Sequence, residues 1–119
     1  MKQITLVCFD SAFSSAITGL LDLFSLVGVT WNRIHRQSIE PHFQVRLASP
    51  TGNPVRCLNN LSIQPDVAIG EAGEDDIIFI PPIGGEIERV LQREAVLVEW
   101  LREEHTRGAS IAGSCTGTF

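Results

Sequence analysis

Four consecutive apolar residues, Ile77 to Ile80, stand between the acidic pair Asp75 and Asp76 and the prolines Pro81 and Pro82. Proline has no N–H to continue a backbone ladder, and four residues are too few for a helix, so the run predicts a short strand buried on both faces. Gln3 to Phe9 repeats the pattern, an almost unbroken apolar stretch closed by Asp10 and Ser11. His42 to Ser49 alternates apolar and polar residues up to Pro50, and Ser110 to Ala112 predicts a last short strand. Between these runs the period changes. Ile17, Leu20, Leu21, Phe24 and Val27 recur at three and four residue spacing behind Ser14 or Ser15 as the cap. That predicts a helix from about Ser15 into the high twenties, with a pattern that can continue through Trp31 to Arg36. Glu86 to Arg107 predicts another, with a possible break near Arg93, an apolar stripe at Val90, Leu91, Val98 and Leu101, and Gly108 placed to end it. Val55 to Ile69, with short apolar pairs around Asn59 and Asn60, predicts a small hairpin or meander.

Strands that alternate with helices build a parallel sheet with right-handed crossovers and helices on both faces. A chain of 119 residues with 44% hydrophobic side chains has room for one such core. In sheets of this kind ligands bind beyond the carboxyl ends of the strands. That edge gathers Asp10 and Ser11, Pro50 and Thr51, Pro81 to Gly85, and Gly113 to Gly117. The net charge of -5 opposes the phosphate attraction behind nonspecific nucleic-acid binding, so direct contact with DNA or RNA is not expected. Cys8, Cys57 and Cys115 are odd in number and lack CxxC spacing, which suggests neither a disulfide framework nor a metal site and fits a reducing cytoplasm. The N-terminal apolar run is too short for a secretory signal, and no stretch approaches a membrane span.

The segment IAGSCTGTF has the layout of a nucleophile elbow, a strand followed by small residues around a nucleophile at a sharp turn. Gly113 and Gly117 flank Cys115 at two-residue spacing. A helix beginning there would favour the thiolate. The second glycine turn, PPIGG, could add backbone N–H donors from Gly84 and Gly85 as an oxyanion hole requires, or simply turn the chain from strand to helix.

The run WLREEHTRGASIAGSCTGTF, with GLLDLF and IFIPPIGG upstream, resembles the amidotransferase-like domain at the N-terminus of many AraC-type transcriptional regulators. That domain belongs to the PfpI branch of the class I glutamine amidotransferase-like superfamily. The resemblance spans nearly all 119 residues, about two thirds of such a domain. It implies a flavodoxin-like three-layer α/β sandwich, a single domain incomplete at its C-terminus just past the elbow, and a role in sensing. A separate helix-turn-helix region, absent from this chain, would then bind DNA. The resemblance also implies a homodimer and a small-molecule effector in a pocket over Ser114, Cys115, Thr116, Gly84, Gly85 and Asp10, with neither cofactor nor metal.

Hydrolytic members of that branch carry His directly after the elbow Cys, where this chain has Thr116, and an acidic side chain early in the first helix, where it has Ala16. Asp22 lies six residues further, about 600° of rotation and roughly 9 Å of rise away, and cannot replace it. His35, His42 and His105 all map to the amino edge of the sheet, ~15 Å from Cys115 and outside the ~3 Å reach of a base. Cys115 therefore reads either as a reactive or ligand-touching thiol, or as a small residue filling an inherited turn. Cys8 and Cys57 read as packing residues and Trp100 as core. Trp31, with Arg33 and Arg36 nearby, reads equally as a subunit contact or as a cover for the helix end. The leading expectation is a non-catalytic sensing domain. The alternatives are a PfpI-type cysteine hydrolase or hydratase using Cys115, and a redox sensor lacking a resolving Cys. If the polypeptide stopped at Phe119, the last strand would lack a partner on one side and the chain is expected to be aggregation-prone or only partly folded. The charge argument predicts that micromolar chain fails to retard a DNA duplex in a gel-shift at ~150 mM salt, where the Debye length is about 8 Å. A retarded band would contradict it.

Overall fold

The computed structural model describes every residue except Ala72 and Glu74. Its strands in chain order are β1 (Lys2–Val7), β2 (Phe43–Ser49), β3 (Val55–Arg56), β4 (Ser62–Ile63), β5 (Val67–Ala68), β6 (Ile77–Ile80) and β7 (Ser110–Gly113). Five of them form one sheet in the order β5-β2-β1-β6-β7, with every pairing parallel. The strand with the longest apolar run, β1, is central, and Ile4, Leu6 and Val7 are fully buried. Ile4 lies beside Val45 and Ile77, and Leu6 beside Leu47 and Phe79, so alternate residues of three strands build one apolar face.

The helices are α1 (Ser14–Ser25), α2 (Thr30–Ile34), α3 (Ile87–Arg93) and α4 (Ala95–Thr106). From β1 the chain steps through α1 to β2 on one side, and from β6 it steps through α3 and α4 to β7 on the other. Right-handed crossovers in opposite directions place the two helical layers on opposite faces. On the α1 face, Phe24 packs edge-on against Phe43 at 5.3 Å and against Phe79 at 5.5 Å between ring centres. On the other face Trp100 of α4 is buried, as core. No described helix is long and apolar enough to cross a membrane.

At the amino edge the buried hydroxyl of Thr5 donates to the Asp75 carboxylate, which also accepts Arg46 Nη2 at 2.9 Å. A buried carboxylate must be paired, and these two partners hold β1 and β2 to the entry of β6.

The structure corrects several sequence expectations. The first helix does not run on into the thirties. It stops at Ser25, because Gly28 takes φ +76° and its carbonyl accepts the Glu40 N–H at 3.0 Å, turning the chain. Neither Ser14 nor Ser15 caps it. The N-cap is Phe13, with no side-chain bond, and the entry is fixed instead by backbone: Phe13 N–H donates to Pro82 O at 3.3 Å and Ala12 bridges to Ile83. Ser14 Oγ accepts from Asn59 Nδ2 at 3.0 Å. Strand β1 ends at Val7, two residues before Phe9. Strand β5 falls inside the stretch expected as a hairpin or meander, but it leaves β3 and β4 and pairs parallel with β2 in the main sheet.

Other expectations hold. The break between α3 and α4 falls at Glu94, Gly108 ends α4 at φ +106°, and β3 pairs antiparallel with β4 around Asn60 at φ +69°. Strand β7 is the sheet's edge, with Ser110, Ile111 and Gly113 exposed.

Gly19 lies within α1 and adopts ordinary helical angles, and a Cβ there would meet nothing within 4 Å. Gly19→Ala is expected to raise stability by about 0.5–1 kcal/mol through the unfolded chain's lost freedom, measured as a higher urea midpoint. A lower midpoint would show that α1 needs space at this position.

Candidate functional site

The strand order reverses between β1 and β6, so the crevice lies beyond their carboxyl ends, where Phe9 to Phe13 meet Pro81 to Gly85 and the segment after β7. After Gly113 the chain passes through Ser114 and turns in a tight 3-10 turn, Cys115–Thr118. Cys115 takes φ +51°, a left-handed conformation that a non-glycine residue holds only when its surroundings impose it. Three features impose it. Ser114 N–H donates to Ile80 O at 3.0 Å and Gly117 N–H donates to Ser114 O at 2.8 Å. A Cβ on Gly117 would lie 2.5 Å from Ile80 O and 2.6 Å from Pro81 O, so only glycine lets the turn sit on the end of β6. Thr116 Oγ1 accepts the Ile83 N–H at 2.8 Å and donates back to Ile83 O at 3.2 Å, bracketing one residue of the PPIGG loop.

The same loop is tied to the first crevice segment. Gly84 N–H donates to Ser11 O at 2.8 Å, and a Cβ on Gly84 would collide with that oxygen. This corrects its reading as an oxyanion donor, because the N–H is already bound. Gly85, at φ +78°, makes no hydrogen bond through its N–H among the described residues and keeps a donor. The helix expected directly after the elbow is, within residues 115–118, only the 3-10 turn.

Asp10 holds the floor of the crevice. Its Oδ1 accepts the Arg56 N–H at 3.0 Å, and its carbonyl accepts Arg93 Nη2 at 2.6 Å. A cleft of about 200 Å³ opens beside it between Thr51, Asn53, Arg93 and Glu94. A second, apolar cleft of about 180 Å³ runs under the elbow between Ile80, Ile83, Val90, Leu97 and Phe119. Five of the six expected site residues thus lie along one path of hydrogen bonds and adjacent chain, from the Ser114 to Thr116 turn through Ile83 and Gly84 to Ser11 and Asp10, and Gly85 stands beside it with its N–H unbound among the described residues. Ser11 and Ile83 belong to the edge the sequence singled out, whereas Arg93 is a part of that path that sequence reasoning missed. Arg93 read as the end of a solvated helix face, and nothing local to it reports a partner 83 residues away.

Of the three thiols only Cys115 is exposed. Burial, then the neighbouring Cys57 and Asp66, push the Cys8 thiol up to about 12. Burial and the nearby Asp10 push Cys57 up as well. Both therefore stay protonated and unreactive near neutral pH. No imidazole shares the elbow's edge. His42 precedes the first residue of β2, His105 sits in the last turn of α4 with Nδ1 3.4 Å from Ala109 O, and His35 caps the end of α2. Cys115 follows the last residue of β7, at the opposite edge of the parallel sheet. The first turn of α1 carries no acidic residue, and Ala16 is half-buried there.

Two outcomes follow. Iodoacetamide at pH 8 is expected to label Cys115 first by peptide mass mapping, and prior labelling of Cys57 would contradict the burial argument. Gly117→Ala is expected to cost about 1–3 kcal/mol by urea unfolding, since its contacts are backbone oxygens that cannot swing aside. An unchanged midpoint would mean the turn is not pressed against β6.

Solved structures with a similar fold include a candidate transcriptional regulator from Vibrio parahaemolyticus, at 20% identity and TM-score 0.73, over 98% of this chain and 57% of that one. Drosophila melanogaster DJ-1beta aligns at 18% identity and TM-score 0.74, over 98% and 56%. A thiJ/pfpI family protein from Bacillus anthracis aligns at 16% identity and TM-score 0.74, over 98% and 52%. The chain thus spans little more than half the length of these structures. The sequence pattern of the DJ-1/PfpI family matches residues 5–119. No curated protein sequence matches the chain.

Proposed function

Because the chain belongs to the DJ-1/PfpI family, with its flavodoxin-like, class I glutamine amidotransferase-like fold, we propose that it is a non-catalytic sensing domain of an AraC-type transcriptional regulator. The observation that carries this reading is the Thr116 bracket. The position where the resemblance expects a catalytic His holds a hydroxyl already engaged twice by the Ile83 backbone, and it serves the shape of the loop rather than proton transfer. Among the described residues no histidine lies at that edge and no carboxylate on the first turn of α1, so none of these supplies the general base, worth typically 10²- to 10⁴-fold.

In this reading a small-molecule effector binds over Cys115, Ser114, Thr116 and Gly85, with Asp10 and Gly84 fixing the walls. The domain is cytoplasmic and works as a homodimer, and a helix-turn-helix domain elsewhere in the longer protein binds DNA. The structural likeness to a candidate transcriptional regulator supports the assignment. The net charge of -5 supports leaving DNA contact to another domain.

A second reading keeps Cys115 as the nucleophile of a PfpI-type hydrolase, favoured by its exposure and its left-handed elbow conformation. Amide hydrolysis by the native chain and by Cys115→Ser separates the two. The sensing reading predicts that both match the uncatalysed rate. Turnover by the native chain that Cys115→Ser abolishes would establish the hydrolase instead.

A further inference from the structure

The charge of this chain is concentrated in one place. Five of its fourteen acids, Asp66, Glu71, Glu74, Asp75 and Asp76, fall within residues 66–76, where there is no Lys or Arg, and the other nine acids are matched by the nine bases. The whole net charge of -5 therefore sits in one short stretch. In the fold that stretch borders α4. A groove runs between the 3-10 turn Ile69–Glu71 and the helix as three adjoining clefts of about 430, 490 and 450 Å³. The first two share Ile69, Gly70, Trp100 and Glu103, and the last two share Glu104 and Arg107. Along α4 the lining residues are Val96, Glu99, Trp100, Glu103, Glu104 and Arg107, a spacing of three and one that keeps to one face of the helix over ~16 Å. Buried Ile69 and Trp100 form the floor, and Val96, exposed by 71%, forms the rim at one end. On the opposite wall a Cβ on Gly70 or Gly73 would meet nothing within 4 Å, so the groove is open to a bulky occupant.

The lining carries Asp75, Asp76, Glu99, Glu103 and Glu104 against Arg107. Glu104 is paired with Arg107 at 2.9 Å and Glu99 with Arg102 at 3.5 Å, while Glu103 and Asp76, both exposed, have no ion-pair partner among the described residues. Asp75 adds an independent sign at the amino end. Its Oδ1 takes Thr5 and Arg46, but its buried Oδ2 has no hydrogen-bond partner among the described residues. A buried carboxylate oxygen without a donor leaves negative charge uncompensated there. The occupant follows from length, charge and rim together. No group of three or more His, Cys, Asp or Glu among the described residues is placed to hold a metal ion. A small organic cation would meet the acids and leave Val96 and Pro50 uncovered at the other end. A helix with Lys or Arg along one face and an apolar side chain among them matches all three.

We propose that the groove between α4 and the Ile69–Glu71 turn is a docking site for a basic amphipathic helix of a protein partner. Its cations lie along Glu99, Glu103 and Asp76, and its apolar side chain lies against Val96. The proposal rests on this groove alone and is independent of chemistry at Cys115.

Fluorescence anisotropy of a labelled, alanine-based helical peptide of about 14 residues, ~21 Å long, with lysines along one face and a leucine among them, tests it. The native chain is expected to bind this peptide with a micromolar dissociation constant at roughly 0.1 M salt, and at least about tenfold more weakly near 1 M, where the Debye length has fallen from about 10 to 3 Å. Glu99→Lys with Glu103→Lys should weaken binding at least about tenfold at the lower salt. Glu86→Lys with Glu88→Lys makes the same change of charge at the start of α3, outside the groove, and should stay within about twofold of the native affinity. All four positions are exposed, so far-ultraviolet spectra are expected to be unchanged. No binding by the native chain, equal losses from the two pairs of substitutions, or equal affinity for the same peptide with glutamate in place of lysine would each overturn the proposal. So would spermine binding as tightly as the peptide, the mark of a site for small cations.

Discussion

The hydroxyl of Thr116, accepting from Ile83 N–H and donating to Ile83 O, is the contact on which the shape of the crevice depends. A residue with a Cβ held at φ +51°, as Cys115 is, costs of order 1–2 kcal/mol. Strain of that size persists only when neighbours leave no alternative. Gly117 lets the turn press onto the carbonyls that end β6, and the bracket fixes the next loop against it. Through Gly84 and Ser11 the constraint passes to Asp10, and through Arg93 to the junction of α3 and α4. Four segments distant in sequence thereby share one rigid edge.

That arrangement separates two properties that an enzyme of this architecture would combine. The described residues present an exposed thiol at Cys115, and their three imidazoles lie at the opposite edge of the sheet. The basic and acidic side chains near the crevice are occupied in holding backbone: Arg93 binds the Asp10 carbonyl, and Asp10 binds the Arg56 N–H. The two other thiols are taken out of play by burial.

Much of this was legible in the chain. The fenced runs at Ile77 to Ile80 and Gln3 to Phe9 dictated a parallel sheet, because such runs have no polar face to show water. The elbow could be read from Gly113 and Gly117, whose spacing serves close approach. What the sequence hid is long-range. No local pattern says that Gly84 spends its N–H on Ser11, that Arg93 reaches back to Asp10, or that the backbone of Pro82 replaces a serine cap at α1. In each case a backbone group 69 or more residues away supplies the partner, and propensity reports only neighbours. The break after Ser25 was hidden for the same reason, since the apolar spacing through Trp31 continues in register while the Glu40 N–H turns the chain at Gly28.

Amide hydrogen exchange at Ile83 measures the Thr116 bracket directly. In the native chain the Ile83 amide is expected to exchange far more slowly than that of Gly85, two residues on in the same loop. In Thr116→Val that protection should vanish while the amides of β1 keep theirs. An Ile83 amide that exchanges as fast as Gly85 in the native chain, or one whose protection survives Thr116→Val, would contradict it.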